Sequence, residues 1–195
     1  MKTNRRNFIK KTTLAGGAIA FSARSYARIL GANDRVSVGV VGFSDRFRSS
    51  LLPAFQNHYK EMDFEMVAVS DLWKKRREEG QAVLKEKFGH DMIACRNNDE
   101  LYALKDLDAV IISTPDFAHA LHAAEAARAG CDIYCEKPFA ESMEDNRAAV
   151  KAVREGKRIL QIGSQRRSGN NYNAACDFIK SGKFGQINMV ELTWN

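Results

Sequence analysis

Lys137 stands where a cationic side chain is costly to hold. It follows the short apolar run Ile133-Tyr-Cys135 and then Glu136, so a glutamate and a lysine meet directly at a strand end. Charged groups in such a place need a partner or a ligand. An ammonium there can orient a substrate hydroxyl and lower its pKa through its positive charge. The other reading is a salt bridge from Lys137 to Glu136 or Asp116.

Three more polar groups close strand-like runs. Asp71 ends the second run, 29 residues past Gly42. A carboxylate there accepts hydrogen bonds from the adenosine ribose hydroxyls and repels a 2′-phosphate, which favours NAD. Lys74, Lys75, Arg76 and Arg77 follow and would instead welcome a 2′-phosphate. Asp71 as the cap of a solvated helix is the alternative. Ser113-Thr114-Pro115-Asp116 ends the fourth run, with His119 one turn further on. Gly163-Ser164-Gln165-Arg166-Arg167 ends the sixth. The first run ends in Gly42, where a dinucleotide fingerprint reads Gly-x-Gly-x-x-Gly. Here Ser44 and Phe47 occupy the second and third glycine positions. Ser44 can still offer its backbone N–H and hydroxyl at a helix start, and Arg46 or Arg48 can approach phosphates. A solvated turn without a ligand is the competing reading.

The elements that must position these residues alternate. Strands are expected at Arg35–Gly42, Phe64–Ser70, Ile93–Arg96, Asp108–Thr114, Asp132–Cys135 and Arg158–Ile162. Helices are expected from about Arg46 to His58 and over Trp73–Phe88. A third, Phe117–Ala129, carries Asp116 as N-cap and stops at Gly130. Ser142 and Asp145 form a capping-box pattern for a fourth, ending near Gly156. A fifth spans Asn171–Lys180. Strands alternating with helices of this length argue βαβ units around a parallel sheet, an α/β doubly wound (Rossmann) fold. Residues 187–194 alternate loosely and read as one more strand.

The formal charge is +6, from 30 basic and 24 acidic residues. Residues 1–27 hold Lys2, Arg5, Arg6, Lys10, Lys11 and Arg24 and no acid, so the remainder is balanced. A polyanion-binding surface needs a basic stripe on the folded domain, and nucleic acid is therefore not an expected partner. Asn4-Arg-Arg-Asn-Phe-Ile-Lys10 resembles a twin-arginine export signal. The apolar stretch after it, Leu14–Phe21, is far shorter than the ~20 residues of a membrane span. Ser25-Tyr26-Ala27 offers small residues at a signal-peptidase site. Cys131 and Cys135 have the spacing of a metal pair, but no second Cys or His pair follows, so buried thiols are expected. Export would also permit a disulfide.

Tyr134-Cys-Glu-Lys-Pro138, preceded by Ser113-Thr-Pro-Asp-Phe-Ala-His119 and followed by Gly163-Ser-Gln-Arg-Arg167, resembles the glucose–fructose oxidoreductase / inositol dehydrogenase (Gfo/Idh/MocA) family. The resemblance runs from about Val36 to Asn195. With the twin-arginine signal read at 1–27, it implies an NAD(P)-binding Rossmann domain at 35–185, and at 186–195 the start of a C-terminal α/β substrate domain otherwise absent. It implies a pyrophosphate loop at Gly42, Ser44 and Arg46 and a ribose-binding acid at Asp71. Thr114, Pro115 and His119 would run along the cofactor. Glu136 and Lys137 would stand beside the nicotinamide, with Lys137 catalytic, and Gln165 and Arg167 would lead toward the substrate. Departures at Ser44, Phe47 and Asp116 bear on cofactor affinity.

The function so implied is an NAD- or NADP-dependent oxidoreductase, periplasmic after export. It would act on a sugar or polyol by hydride transfer, as a homo-oligomer when full length. Two alternatives stand beside it. One is an exported glycoside hydrolase that uses bound NAD as a transient oxidant. The other is a non-catalytic nucleotide-fold remnant or partner subunit.

Overall fold

The computed structural model describes residues 35–193, so the export signal expected at 1–27 lies outside the described residues. Six strands form one parallel sheet: β1 (Val36–Val41), β2 (Phe64–Ser70), β3 (Ile93–Cys95), β4 (Ala109–Ile112), β5 (Asp132–Cys135) and β6 (Leu160–Ile162). Their spatial order is β3-β2-β1-β4-β5-β6. That is the doubly wound order, and its strand sequence reverses between β1 and β4.

The helices follow the expected alternation, with local differences. α1 (Leu52–His58) is preceded by a π-helical turn at Phe47–Leu51. α2 (Lys74–Phe88) ends on Gly89, whose positive φ suits a helix stop. α3 (Asn98–Tyr102) is a short helix absent from the sequence expectation; the Asn97 side chain accepts from Glu100 N–H at 2.9 Å. α4 (His119–Arg128) follows a 3-10 turn at Asp116–Ala118, and α5 (Met143–Gly156) starts at Ser142. α6 (Asn170–Lys180) follows a 3-10 turn at Gln165–Ser168 and buries no residue.

Two expectations are corrected. Asp116 is no N-cap: it begins the 3-10 turn, and its side chain accepts no capping hydrogen bond. The rigid Thr114-Pro115 step ahead of it sets the chain direction instead. Residues 186–193 form no strand. A strand exists only with a neighbour to share its N–H and C=O groups, and this segment has none among the described residues.

The strands divide their side chains between two cores. Val41, Val110 and Ile112 face α4 and α5, while Val38, Val40 and Ile111 face α1 and α2. α4 carries alanines at 120, 123, 124, 126 and 127, all buried, against Ala149 and Ala152 of α5. Small side chains on both helices let them pack closely on the sheet. At the start of α5 the Ser142 hydroxyl accepts from Asp145 N–H at 3.0 Å and donates to the Asp145 carboxylate at 2.6 Å. No described helix is long and apolar enough to cross a membrane.

Cys95, Cys131 and Cys135 are buried and free, Cys176 is exposed and free, and no metal-binding cluster occurs among the described residues. Burial pushes the Cys131 thiol up to about 11 and the Cys135 thiol up to about 12. At pH 8 a thiol of the latter kind is ionised to only about one part in ten thousand, and the thiolate is the nucleophile. With Ellman's reagent on the native protein, one thiol of four should react quickly. Cys176→Ser should abolish that phase, and denaturant should release the other three; fast native labelling of two or more would contradict this packing.

Candidate functional site

The sheet reversal opens a cleft of about 640 Å³ above the carboxyl ends of β1, β2 and β4. Gly42, Ser44, Asp71, Thr114 and Pro115 all line it. Gly42 adopts φ +85°, and a Cβ there would stand 2.9 Å from Thr114 Cγ2. The residue must therefore be glycine, both for its backbone angle and for the closeness of β4. The Thr114 hydroxyl is buried and has no hydrogen-bond partner. A buried polar group without a partner calls for one, and this one belongs to a residue of the cleft wall.

Asp71 is held on both oxygens. Oδ2 accepts from Phe43 N–H at 2.9 Å and Oδ1 from Trp73 N–H at 2.8 Å. One carboxylate thus fastens the β1 turn to the approach of α2. The basic run after it is largely engaged. Lys74 pairs with Glu78 at 3.6 Å, Arg76 with Asp45 at 3.0 Å, and Arg77 donates to the Asp71 carbonyl at 2.7 Å. Lys75 lies over the Trp73 ring. Asp45 also pairs with Arg48; that hydrogen bond first, and Arg76 second, hold its carboxyl below the usual carboxylate range.

Of the two missing glycines, one is replaced by Ser44 and the other by the packed ring of Phe47. Phe43 and Phe47 are fully buried, their ring centroids 5.7 Å apart. The Phe43 ring fits because α2 presents Gly80, where a Cβ would meet ring carbons at 2.9 and 3.0 Å. Phe47 opens the π-helical turn, whose Leu52 N–H bonds back to Phe47 C=O. The wider turn takes up the bulk where a glycine would let helix and strand close together. The Ser44 hydroxyl accepts from Phe47 N–H at 3.1 Å, so it caps this helix start.

A second polar group of residues sits at the ends of β5 and β6. Glu136 is 3% exposed and its carboxylate pairs with Arg46 Nη2 at 3.0 Å. The Gln165 amide oxygen, in the orientation that satisfies both its polar atoms, accepts from the same nitrogen at 3.2 Å. Gly163 is tightly enclosed; a Cβ there would stand 2.7 Å from the Tyr134 hydroxyl and 3.1 Å from Glu136 Oε1. Burial first, then the Glu136 carboxylate, pushes the Tyr134 phenol up. The alternative reading of Lys137, a salt bridge, does not form: Glu136 belongs to Arg46, and the exposed Lys137 ammonium has no ion pair among the described residues. Arg167 likewise is exposed and unpaired among them, on the 3-10 turn.

His119 is 1% exposed, beneath the strand ends and out of the cleft. Its Nε2 lies 2.8 Å from the Thr114 carbonyl and its Nδ1 2.6 Å from the Pro138 carbonyl. The ring ties the β4 end to the loop that carries Lys137. The cleft also has walls that sequence reading missed. Leu72, Trp73, Phe117 and Leu121 line it with more than half of each side chain exposed. Large apolar side chains left in water around a cavity suit a flat apolar ligand. Only Leu72 and Trp73, directly after Asp71, stood beside a residue that sequence reading had singled out for the ligand.

A family model described as an oxidoreductase family with an NAD-binding Rossmann fold matches residues 36–164. The inositol 2-dehydrogenase of Rhizobium meliloti (strain 1021) is 34% identical over 131 residues, which are 67% of this chain and 38% of that protein. The inositol 2-dehydrogenase of Rubrobacter xylanophilus is 31% identical over 156 residues, 80% of this chain and 42% of that protein. The WlbA dehydrogenase of Bordetella pertussis, solved with NADH and UDP-GlcNAcA, superposes with a TM-score of 0.69 at 26% identity, over 78% of this chain and 44% of that one. The chain thus spans about two fifths of the length of the curated relatives it matches. It belongs to the Gfo/Idh/MocA oxidoreductase family, and the part described is the NAD-binding Rossmann domain.

The Phe43–Gly80 fit gives a test of the altered loop. Gly80→Ala gains about 1 kcal/mol of helix propensity, but overpacking a buried ring costs about 1–3 kcal/mol. Urea unfolding should show net destabilisation. In a Phe43→Leu background the same change should become neutral or stabilising, and an equal effect in both backgrounds would refute the fit.

Proposed function

We propose that this Gfo/Idh/MocA domain binds NAD in the cleft between β1 and β4 and serves an oxidoreductase acting on a sugar or polyol. The observation that carries the reading is the meeting of Gly42, Asp71 and Thr114 on one cavity, above the carboxyl ends of β1, β2 and β4. The bare Gly42 backbone admits a pyrophosphate, Asp71 faces the ribose hydroxyls, and Thr114 and Pro115 wall the cleft beside them. When bound, the nicotinamide supplies a site that accepts or gives up hydride.

The chain's own residues do the rest. Lys137, exposed and unpaired, holds the substrate hydroxyl and stabilises negative charge on its oxygen. Glu136 and Arg46 are positioning residues: their ion pair holds the loop from which Lys137 projects. His119 positions the same loop from below. Gln165 steadies Arg46, and Arg167 faces the substrate side with a free guanidinium. Pro115 fixes the turn of the cleft wall. NAD is favoured over NADP because the cations that could take a 2′-phosphate are engaged by Glu78, Asp45, Trp73 and the Asp71 carbonyl. A polyol substrate accords with the inositol 2-dehydrogenases among the relatives. Homo-oligomeric assembly of the full-length protein rests on the family resemblance.

Fluorescence titration tests this directly. NADH should saturate the protein at sub-millimolar concentration and bind tighter than NADPH. Asp71→Asn should narrow that preference roughly tenfold by removing a charge facing the phosphate. Lys137→Ala should leave NADH affinity within about twofold, as a substrate-facing group would. No saturation at millimolar NADH would overturn the reading.

The reading includes export. Asn4-Arg-Arg-Asn-Phe supports a twin-arginine route to the periplasm. Changing Arg5 and Arg6 to Lys should hold the protein in the cytoplasm by cell fractionation; unchanged export would reject it.

A further inference from the structure

α6 is a helix without a seat. Every residue from Asn170 to Lys180 is exposed, yet the helix is amphipathic. Tyr172, Ala175, Cys176 and Ile179 follow the spacing of one apolar face, with Phe178 at its flank, while Asn173, Asp177 and Lys180 stand on the other side. Tyr172, Phe178 and Ile179 each leave more than two fifths of their surface in water. The connection from β6 is closed by its own bonds. Gly169 N–H donates to the Arg166 carbonyl at 3.1 Å, Asn173 N–H to the Gly169 carbonyl at 3.0 Å, and Arg166 Nη1 to the Tyr172 hydroxyl at 3.0 Å. The turn thus holds α6 off the sheet it follows.

The sheet has a bare face of matching kind. A parallel sheet is ordinarily covered on both faces. α4 and α5 cover one face of β4, β5 and β6. On the other, past α1, a groove of about 470 Å³ lies open, lined by Val38, Ala109, Ile111 and Tyr134 from the sheet, Phe55 from α1, and Ile159. Among its lining residues only Asp132 is charged. α6 and the turn after it carry Lys180 and Lys183, which have no ion pair among the described residues. We infer that α6 of a second copy of this chain seats in this groove, and that the exchange is reciprocal about a two-fold axis. Each chain carries both the helix and the groove, so the contact closes on itself. The area suffices. One side of a helix about 16 Å long and about 10 Å across is roughly 300 Å². Two such faces, with the two grooves they cover, remove about 1,200 Å² from water, the size at which specific interfaces begin. Lys180 or Lys183 would meet Asp132 at the rim. The inference does not depend on the NAD reading.

Sedimentation of the full chain over a concentration series should show its mass rise about twofold. The fast labelling of Cys176 by Ellman's reagent, expected of dilute protein, should slow over the same range, since the thiol lies on the seated face. Ile179→Lys on the helix and Ile159→Lys on the groove replace exposed side chains, so circular dichroism should be unchanged. Each should weaken association about tenfold or more. Asn173→Lys, on the far side of α6, should leave it within about twofold. A chain that stays monomeric at every concentration would overturn the inference, as would a dimer that persists in either isoleucine variant. A monomer whose Cys176 is protected at every dilution would overturn it too, by placing α6 in its own groove.

Discussion

Glu136 ends β5 almost wholly buried, and a carboxylate there requires a counter-ion. Arg46 supplies it from the opposite side of the sheet reversal, at 3.0 Å. An unpaired buried charge costs several kcal/mol, and losing one partner of such a pair is worse than lacking both. Arg46 retains some solvent contact, which softens that figure, yet the direction is clear. The pair therefore fixes three things together: where the loop after β1 turns, how the strand end of β5 sits, and where Gln165 points. Lys137 is the next residue in the chain, so its place in space follows from a neighbour's electrostatics.

This arrangement explains why the turn after β1 tolerates the loss of two glycines. In the usual fingerprint the third glycine brings helix and strand together and the second lets the ligand approach. Here Gly42 alone keeps the backbone role, enforced by the nearness of Thr114. Phe43 and Phe47 convert the remaining space into hydrophobic core, with Gly80 making the complementary room on α2. Asp71 ties the turn from one side and the Arg46–Glu136 pair from the other. A loop fastened at both edges does not need glycine flexibility to reach its conformation.

The sheet was legible because β-branched and apolar runs of strand length alternate with helix patterns, and five parallel strand pairings demand nothing more local than that. The cores of the strands were placed correctly, with ends shifting by a residue or two. Asp116 misled because an acidic residue before an alanine-rich run looks like a cap, whereas Pro115 and a 3-10 turn govern that corner. The loose alternation after Gly185 misled because strand formation depends on a neighbour, which no local pattern encodes. Asp71 and Thr114 of the cleft, and Lys137 outside its lining, were visible as polar groups at strand ends. The Arg46–Glu136 partnership was not, since ninety positions separate the two residues. Nor were the apolar walls, whose exposure is a property of the assembled cleft.

The partition of positive charge is what gives the site its chemical direction. Arg46, Arg48, Arg76 and Arg77 are consumed internally, by Glu136, by Asp45 and Glu79, and by the Asp71 carbonyl. They shape the cleft and offer little to an additional phosphate. Lys137 and Arg167 are left exposed and unpaired among the described residues, both beyond the ends of β5 and β6. A dinucleotide lying across the sheet reversal would meet backbone, hydroxyl and carboxylate at its adenosine half and free cations only toward its other end. In the function proposed above, free cations there would meet an oxygen of the substrate. The same sequence that neutralises its own basic run beside Asp71 thereby leaves unpaired charge beyond the ends of β5 and β6.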